Sequence, residues 1–297
     1  MAFFTTRDGL ELFYGETGEG YPVIFVHEFA GDARSYEQQV RFFSRGYRCI
    51  VYNARGYPPS AVPEDPAAYS QDHARDDLFD LLDFLGIDRA HIVGLSMGAF
   101  TALHAAIGRP ERVSAIIVAG CGYGAEPDKR AQFQSEIDTV AQRFLDQGAD
   151  EAGRRYAAGP TRLQFLRKDP RGHAEFEQQM AEHPAIGSAN TLRGVQRERP
   201  ALWELEAQLA AMRTPTLIMT GDEDDPCLEP ALYLKKTIPS SGLVVLANTG
   251  HTINLEEPAA FNAVVIDFFH QVERGGWPVR DPRTVAGGMI DLEPEAP

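Results

Sequence analysis

Six short apolar runs punctuate this chain, and they restrict it to one class of fold. VIFV (23–26), CIVY (49–52), HIVGL (91–95), SAIIVAG (114–120), TPTLIMTG (214–221) and GLVVLA (242–247) are each about strand length and lack the apolar–polar alternation of a half-exposed sheet. Such runs belong to strands covered on both faces, the usual state of a parallel sheet with crossover helices. The stretches between them supply the helices. Leu78, Leu81, Leu82 and Leu85 fall at i, i+3, i+4 and i+7, which predicts a helix over about 71–86, stopped by Gly86. The helix after HIVGL carries Phe100, Leu103 and Ile107 on one face and halts at Gly108-Arg109-Pro110. A last helix, Pro258 to about Glu273, sets Phe261, Val264, Val265 and Phe268 on one face. At the start, residues 2–6 and 10–14 read as a hairpin around Asp8-Gly9.

Between the fourth and fifth runs the texture changes. From about Gly122 to Arg213 no strand-like run occurs; the segment is rich in Gln, Glu, Arg and Ala and is punctuated by Pro160, Pro170, Pro184 and Pro200. The simplest organisation is an α/β core formed by 1–121 and 213–274, with a helical insertion at 122–212. Residues 275–297, with four prolines and an acidic end, read as a tail that hugs the surface or is disordered. A length of 297 residues suits one large domain or a core carrying such an insertion.

Charge narrows the partners. With 28 Lys and Arg against 43 Asp and Glu, the formal charge is −15, which argues against nucleic acid and against an anionic membrane surface. The opening MAFFTTRDGLELFYGE has no basic stretch followed by an apolar run, and no apolar stretch is long enough to span a bilayer, so a reducing cytoplasm is the expected location. Cys49, Cys121 and Cys227 are too few and too scattered for a disulfide framework and lack zinc-site spacing. They read as buried small hydrophobes, and no metal is expected.

The motif that carries chemistry is Gly94-Leu95-Ser96-Met97-Gly98, set where HIVGL turns into a helix. A nucleophilic serine needs its hydroxyl on a sharp turn free of neighbouring side chains, and glycines two before and two after it let strand and helix close around that turn. The helix's first turn then offers unpaired N–H groups and the positive end of its dipole to a developing oxyanion. A bare G-x-S-x-G is weak evidence in a chain with 27 glycines; its place between a strand and an amphipathic helix gives it weight.

Serine at neutral pH needs a base. Of the eight histidines, His251 follows the strand GLVVLA in the short loop Asn248-Thr249-Gly250 and precedes the last helix, at the sheet edge where such folds gather functional groups. An acid to orient it should come from the preceding strand end, where LIMTGDEDDP offers Asp222, Glu223, Asp224 and Asp225. The resulting order, Ser then acid then His, is the one this kind of sheet uses.

VIFVHEFAG, YNARGYPPS, VGLSMG, PTLIMTGDEDDP and NTGHTINLEEP together resemble the α/β-hydrolase superfamily, over residues 1–121 and 213–273. Within it the chain is similar to the lactonase, haloperoxidase and meta-cleavage hydrolase branch. The resemblance implies an α/β-hydrolase fold, with the insertion matching the helical cap in position and helical character. It puts the acid three residues after the glycine, at Asp224, with Asp222 and Asp225 as fallbacks. It assigns the oxyanion hole to the backbone N–H groups of Phe29 and Met97. Glu28 stands where the family has glycine. It reads either as a structural substitute paired with Arg34 or Arg55, or as a polar specificity group facing substrate. In Asn53-Ala54-Arg55-Gly56-Tyr57, resembling D-x-R-G-x-G, Arg55 reads as a structural ion-pair residue.

The chemistry so implied is acyl transfer without a cofactor: Ser96, deprotonated by His251, attacks a small ester or lactone. A serine elbow sets aside the dehalogenases and epoxide hydrolases of this fold, which use aspartate there. Phe29, Met97, Tyr123 and Trp203 are candidates to line an apolar pocket under the cap, each also an ordinary core residue. C–C bond hydrolysis with the same triad, a perhydrolase side reaction, and a non-catalytic binding protein on this fold are the alternatives. Exposed core edges leave room for a homodimer.

Overall fold

The computed structural model describes residues 2–285. Its strands are β1 (Ala2–Thr5), β2 (Glu11–Thr17), β3 (Tyr21–Val26), β4 (Tyr47–Tyr52), β5 (Ala90–Leu95), β6 (Val113–Ala119), β7 (Thr216–Gly221) and β8 (Ser241–Leu246). They form one sheet in the order β1-β2-β4-β3-β5-β6-β7-β8. The hairpin β1–β2 is antiparallel and joins β4 antiparallel, and every pair from β4 to β8 is parallel.

Helices of the core are α1 (Glu37–Phe43), α2 (Gln71–Phe84) and α3 (Met97–Gly108). The insertion then contributes α4 (Arg130–Ala157), α5 (Leu163–Lys168), α6 (Pro170–Ala181), α7 (Ala185–Asn190) and a π-helical turn over Thr191–Arg197. The chain continues through α8 (Glu206–Ala211), α9 (Asp225–Thr237), α10 (Ile253–Glu256) and α11 (Pro258–Glu273). Among the described residues no helix is long and apolar enough to cross a membrane.

Alternation along the buried strands divides the core in two. Ile24, Ile50, Ile92, Ile116 and Ile218 point to the face covered by α2, α3 and α9. Val23, Phe25, Val93, Ile117 and Leu217 point to the opposite face, against Phe43 of α1 and Phe261, Val265 and Phe269 of α11. A third cluster joins Phe133, Phe144, Phe165, Phe176 and Leu192 of the insertion to Phe29 and Tyr57 of the core loops. The insertion therefore has an apolar seam of its own, laid over the loops at the carboxyl edge of the sheet.

One boundary differs from the sequence reading. Leu202, Leu205, Leu209 and Met212 pack in the same core cluster as α2, α3 and α9, so the cap ends near residue 200 rather than 212. The polar texture of 122–212 conceals this, because a segment covering one face of a sheet needs few apolar residues. The sequence pattern does not announce helices α1 and α9; α9 carries Pro226 in its first turn and Pro230 inside it, which dilutes its pattern. Of the tail, Trp277 packs edge-on against Phe268 at 4.6 Å and donates from Nε1 to the Ser240 carbonyl at 2.8 Å. Residues 286–297 of that expected tail lie outside the described residues.

The turn from β5 into α3 has the tightest packing. A Cβ on Gly98 would stand 2.0 Å from the Val26 carbonyl oxygen, and one on Gly94 would stand 2.2 Å from the Gly98 carbonyl oxygen. Both contacts are backbone on backbone, so nothing flexible can give way. Gly98→Ala should therefore cost about 1–3 kcal/mol, while Gly46→Ala, with nothing within 4 Å of the added Cβ, should be close to neutral. Chemical denaturation of the two variants beside wild type measures the contrast.

Candidate active site

Between β5 and α3, Ser96 adopts φ 53° and ψ −112°, a region that non-glycine residues enter only when surrounding structure forces them. The forcing is visible. The Ser96 N–H donates to the Ala119 carbonyl at 2.8 Å, and the Ser96 carbonyl receives the Ala99 and Phe100 N–H groups. The hydroxyl is thus held at the carboxyl edge of the sheet, ahead of the first turn of α3.

His251 comes from the loop after β8. Its Nδ1 lies 2.7 Å from Asp224 Oδ2, and both side chains are buried. Of the four acids offered by the sequence, Asp224 is the one that reaches the imidazole. Asp222 accepts the Thr249 N–H at 3.1 Å, Glu223 accepts from Gln164, and Asp225 opens α9. Burial pushes the Asp224 carboxyl up, but the attraction and hydrogen bond of His251 outweigh it and leave the carboxyl below its ordinary value. With Nδ1 committed to Asp224, Nε2 is the ring atom left for Ser96. Ser96 and His251 line one cavity of about 450 Å³. No hydrogen bond joins them among the described residues; such contacts tighten when substrate is seated.

The loop after β3 lies beside the elbow. His27 is fully buried and bridges two backbone groups: its Nδ1 donates to the Glu28 carbonyl at 2.7 Å, and its Nε2 accepts the Ala54 N–H at 3.0 Å. Only the neutral ring can do both, and burial lowers its pKa to about 4. The ring thereby fixes the path of His27–Gly31. Among the described residues the Phe29 N–H has no acceptor. The Met97 N–H, at the first position of α3, has none within the helix.

Glu28 does not face the cavity. Its carboxylate pairs with Arg162 of the cap, and these side chains are 1% and 2% exposed. The expected partners are engaged elsewhere: Arg34 with Asp32 at 2.6 Å, and Arg55 with Asp77 at 2.5 Å and Asp8 at 2.9 Å. Position 28 is therefore a cap anchor, a role no local pattern could reveal because its partner is 134 residues away. The Thr161 carbonyl, next to Arg162, receives the His251 N–H at 3.2 Å, and Lys168 reaches Glu257 at 2.6 Å.

Of the four pocket candidates, Tyr123 lines the cavity. Phe29 turns its ring into the seam, 5.1 Å from that of Tyr156, and Met97 is buried in the same cluster. Trp203 is placed elsewhere: it stacks on Tyr233 of α9 at 3.9 Å, on the outer flank of the core. Its expected role depended on assigning 201–212 to the cap. The cavity wall includes Phe100, Tyr156, Gln196, Arg155, Arg162 and Arg199, which the sequence did not single out, because cap arginines look like any solvated helix face. Asp224, Cys227 and His251 place an oxygen, a sulfur and a nitrogen within 4.8 Å of one another, the one such group among the described residues. Burial holds the Cys227 thiol well above its ordinary pKa, and Asp224 occupies His251 Nδ1, so the set is a poor metal ligand.

Replacing Arg162 with Met strands the Glu28 carboxylate in the seam and should lower the unfolding free energy by about 3–5 kcal/mol. Adding Glu28→Gln should recover a good part of that loss. Urea titration compares the two, and a double variant no more stable than the single one would show that the charge of Glu28 is not what Arg162 answers.

The profile of the α/β-hydrolase-fold family matches residues 21–258. The chain is 30% identical to the 2-hydroxy-6-oxo-6-phenylhexa-2,4-dienoate hydrolase of Comamonas testosteroni, over 87% of this chain and 91% of that protein. It is 29% identical to 3-oxoadipate enol-lactonase 2 of Acinetobacter baylyi, over 82% of this chain and 86% of that protein. Among solved structures, a thermophilic esterase from Thermogutta terrifontis superimposes with a TM-score of 0.81 at 27% identity, covering 91% of this chain and 98% of the esterase. The elbow, the sheet order and these likenesses agree: this chain belongs to the α/β-hydrolase-fold family, a family of hydrolases.

Proposed function

We propose that the protein is a serine hydrolase that cleaves a small carboxylic ester or lactone through an acyl-enzyme on Ser96. The observation that carries this reading is the strained Ser96 at the elbow, sharing a cavity with a His251–Asp224 pair already hydrogen-bonded at 2.7 Å. A non-glycine residue held at φ 53° and ψ −112° is strain of the kind that gathers at functional sites. Likeness to an enol-lactonase and to an esterase supports the substrate class.

In the mechanism, His251 takes the hydroxyl proton of Ser96 as the oxygen attacks the substrate carbonyl. Asp224 holds the ring in the tautomer with its proton on Nδ1 and stabilises the imidazolium. The Phe29 and Met97 N–H groups receive the oxyanion, a service worth about 10²–10³-fold in turnover per donor. His251 returns the proton to the departing alcohol, or to the ring-opened hydroxyl of a lactone, and water repeats the sequence on the acyl-enzyme. The pairing of Glu28 with Arg162 keeps that carboxylate's charge answered close to where the oxyanion develops.

The same three residues can also hydrolyse a C–C bond beside a carbonyl. The 30% identity to a hydrolase of a hydroxy-oxo-dienoate keeps this as the second reading. A non-catalytic binding role sits poorly with a Ser, His and Asp all present and grouped at one cavity.

Turnover of p-nitrophenyl esters from acetate to dodecanoate tests the proposal. Short acyl chains should react, with a decline as the chain outgrows a cavity of about 450 Å³. Ser96→Ala should abolish the reaction, and Asp224→Asn should lower kcat by about 10⁴-fold, whereas Asp222→Asn should leave it nearly unchanged. Full activity in Ser96→Ala would overturn the assignment.

A further inference from the structure

The wall of the cavity holds a charge that nothing in the described protein answers. Arg199, at the end of the cap, is 4% exposed and lines the cavity with Ser96 and His251. An arginine so deeply buried is normally paired with a carboxylate. Among the described residues none is paired with it. Its Nη2 donates to the Tyr123 carbonyl at 2.8 Å, and its Nη1 is buried without a hydrogen-bond partner. The guanidinium carbon lies 3.7 Å above the Phe100 ring, which satisfies its flat face but not its in-plane donors. Burial, helped by the neighbouring Arg130 charge, brings the Arg199 pKa down to about 10, so it stays charged at neutral pH.

The position matters as much as the charge. Phe100 is one helical turn beyond Ser96 on α3, and Ser96, Phe100 and Arg199 line the same cavity. Arg130 donates to the Arg199 carbonyl and fixes the backbone that presents it. The neighbouring cation Arg162 is occupied by Glu28. On a chain of net charge −15, an unanswered cation inside the cavity runs against the whole and marks a place for an anion.

We infer that Arg199 is a specificity-determining residue that receives a carboxylate carried by the substrate, so that the ester or lactone cleaved here is the ester of a dicarboxylic acid or an otherwise acid-bearing acyl compound. The inference rests on the proposed hydrolase reading for its reaction, but the binding it describes does not require turnover. Seated against the guanidinium, the carboxylate makes a charge-assisted hydrogen bond in a site removed from bulk water, while the carbonyl to be attacked lies over Ser96.

Two measurements test it separately from catalysis and with it. In Ser96→Ala protein, calorimetry with monomethyl glutarate and with dimethyl glutarate should show the monoanion binding tighter by about tenfold to a hundredfold, the range of a hydrogen bond to a charged group. Equal affinity for the two overturns the inference, and since Arg199 is intact here, no folding defect can confuse the result. In active enzyme, Arg199→Met should raise KM for the p-nitrophenyl half-ester of glutarate about tenfold to a hundredfold more than for p-nitrophenyl valerate, with Arg199→Lys recovering part of that difference. If Arg199 serves only to tether the cap to Phe100, both substrates should suffer alike. Labelling of Ser96 by a fluorophosphonate reports the nucleophile independently: labelling with no preference for the monoanion sinks the carboxylate subsite alone, whereas preference without labelling sinks the hydrolase reading alone.

Discussion

The close approach of α3 to β5 and β3 governs the rest of the molecule. Because Gly98 rests on the Val26 carbonyl and Gly94 on the Gly98 carbonyl, the helix can begin immediately where the strand ends. Ser96 then has no room to relax out of its positive φ. The same contact sets the loop after β3 against the first turn of α3 by backbone packing rather than by side chains. His27 completes the arrangement from the other side, tying that loop to Ala54 of the next. A site assembled this way draws its precision from the sheet itself, whose parallel register carries β7 and β8 to the same edge with Asp224 and His251 in the loops beyond them.

What could be read from the chain follows this division. The buried strands announce themselves because a strand covered on both faces must be apolar throughout, and the elbow and the histidine loop are short, local and tied to strand ends. The acid needed the spacing of a family pattern to separate Asp224 from three neighbours of the same charge, since only a distance to His251 distinguishes them. The cap resisted. Its helices use charged outer faces and an apolar seam shared with loops far away in sequence, so neither its end at about residue 200 nor the inward-facing arginines could be told from ordinary solvated helix.

Trp203 and Glu28 show the two ways a local reading fails. The sequence neighbours of Trp203 suggest the cap, but Leu202 and Leu205 on either side belong to the core face and take it away from the cavity. Glu28 was noticed because it departs from a pattern, and the departure is meaningful. Its explanation sits in the cap, at Arg162, where no nearby residue could supply it.

That pair also bears on how such a protein can change over time. A helical cap looks like an interchangeable module, inserted between two strands and free to be traded for another with a different pocket. Here it is not. A replacement cap lacking an arginine at the place of Arg162 would close over an unanswered carboxylate, and a core returned to glycine at position 28 would leave the present cap's arginine without its counter-ion. Positions 28 and 162 must therefore drift together, and chimaeras built from this core will accept foreign caps only when residue 28 is exchanged along with them.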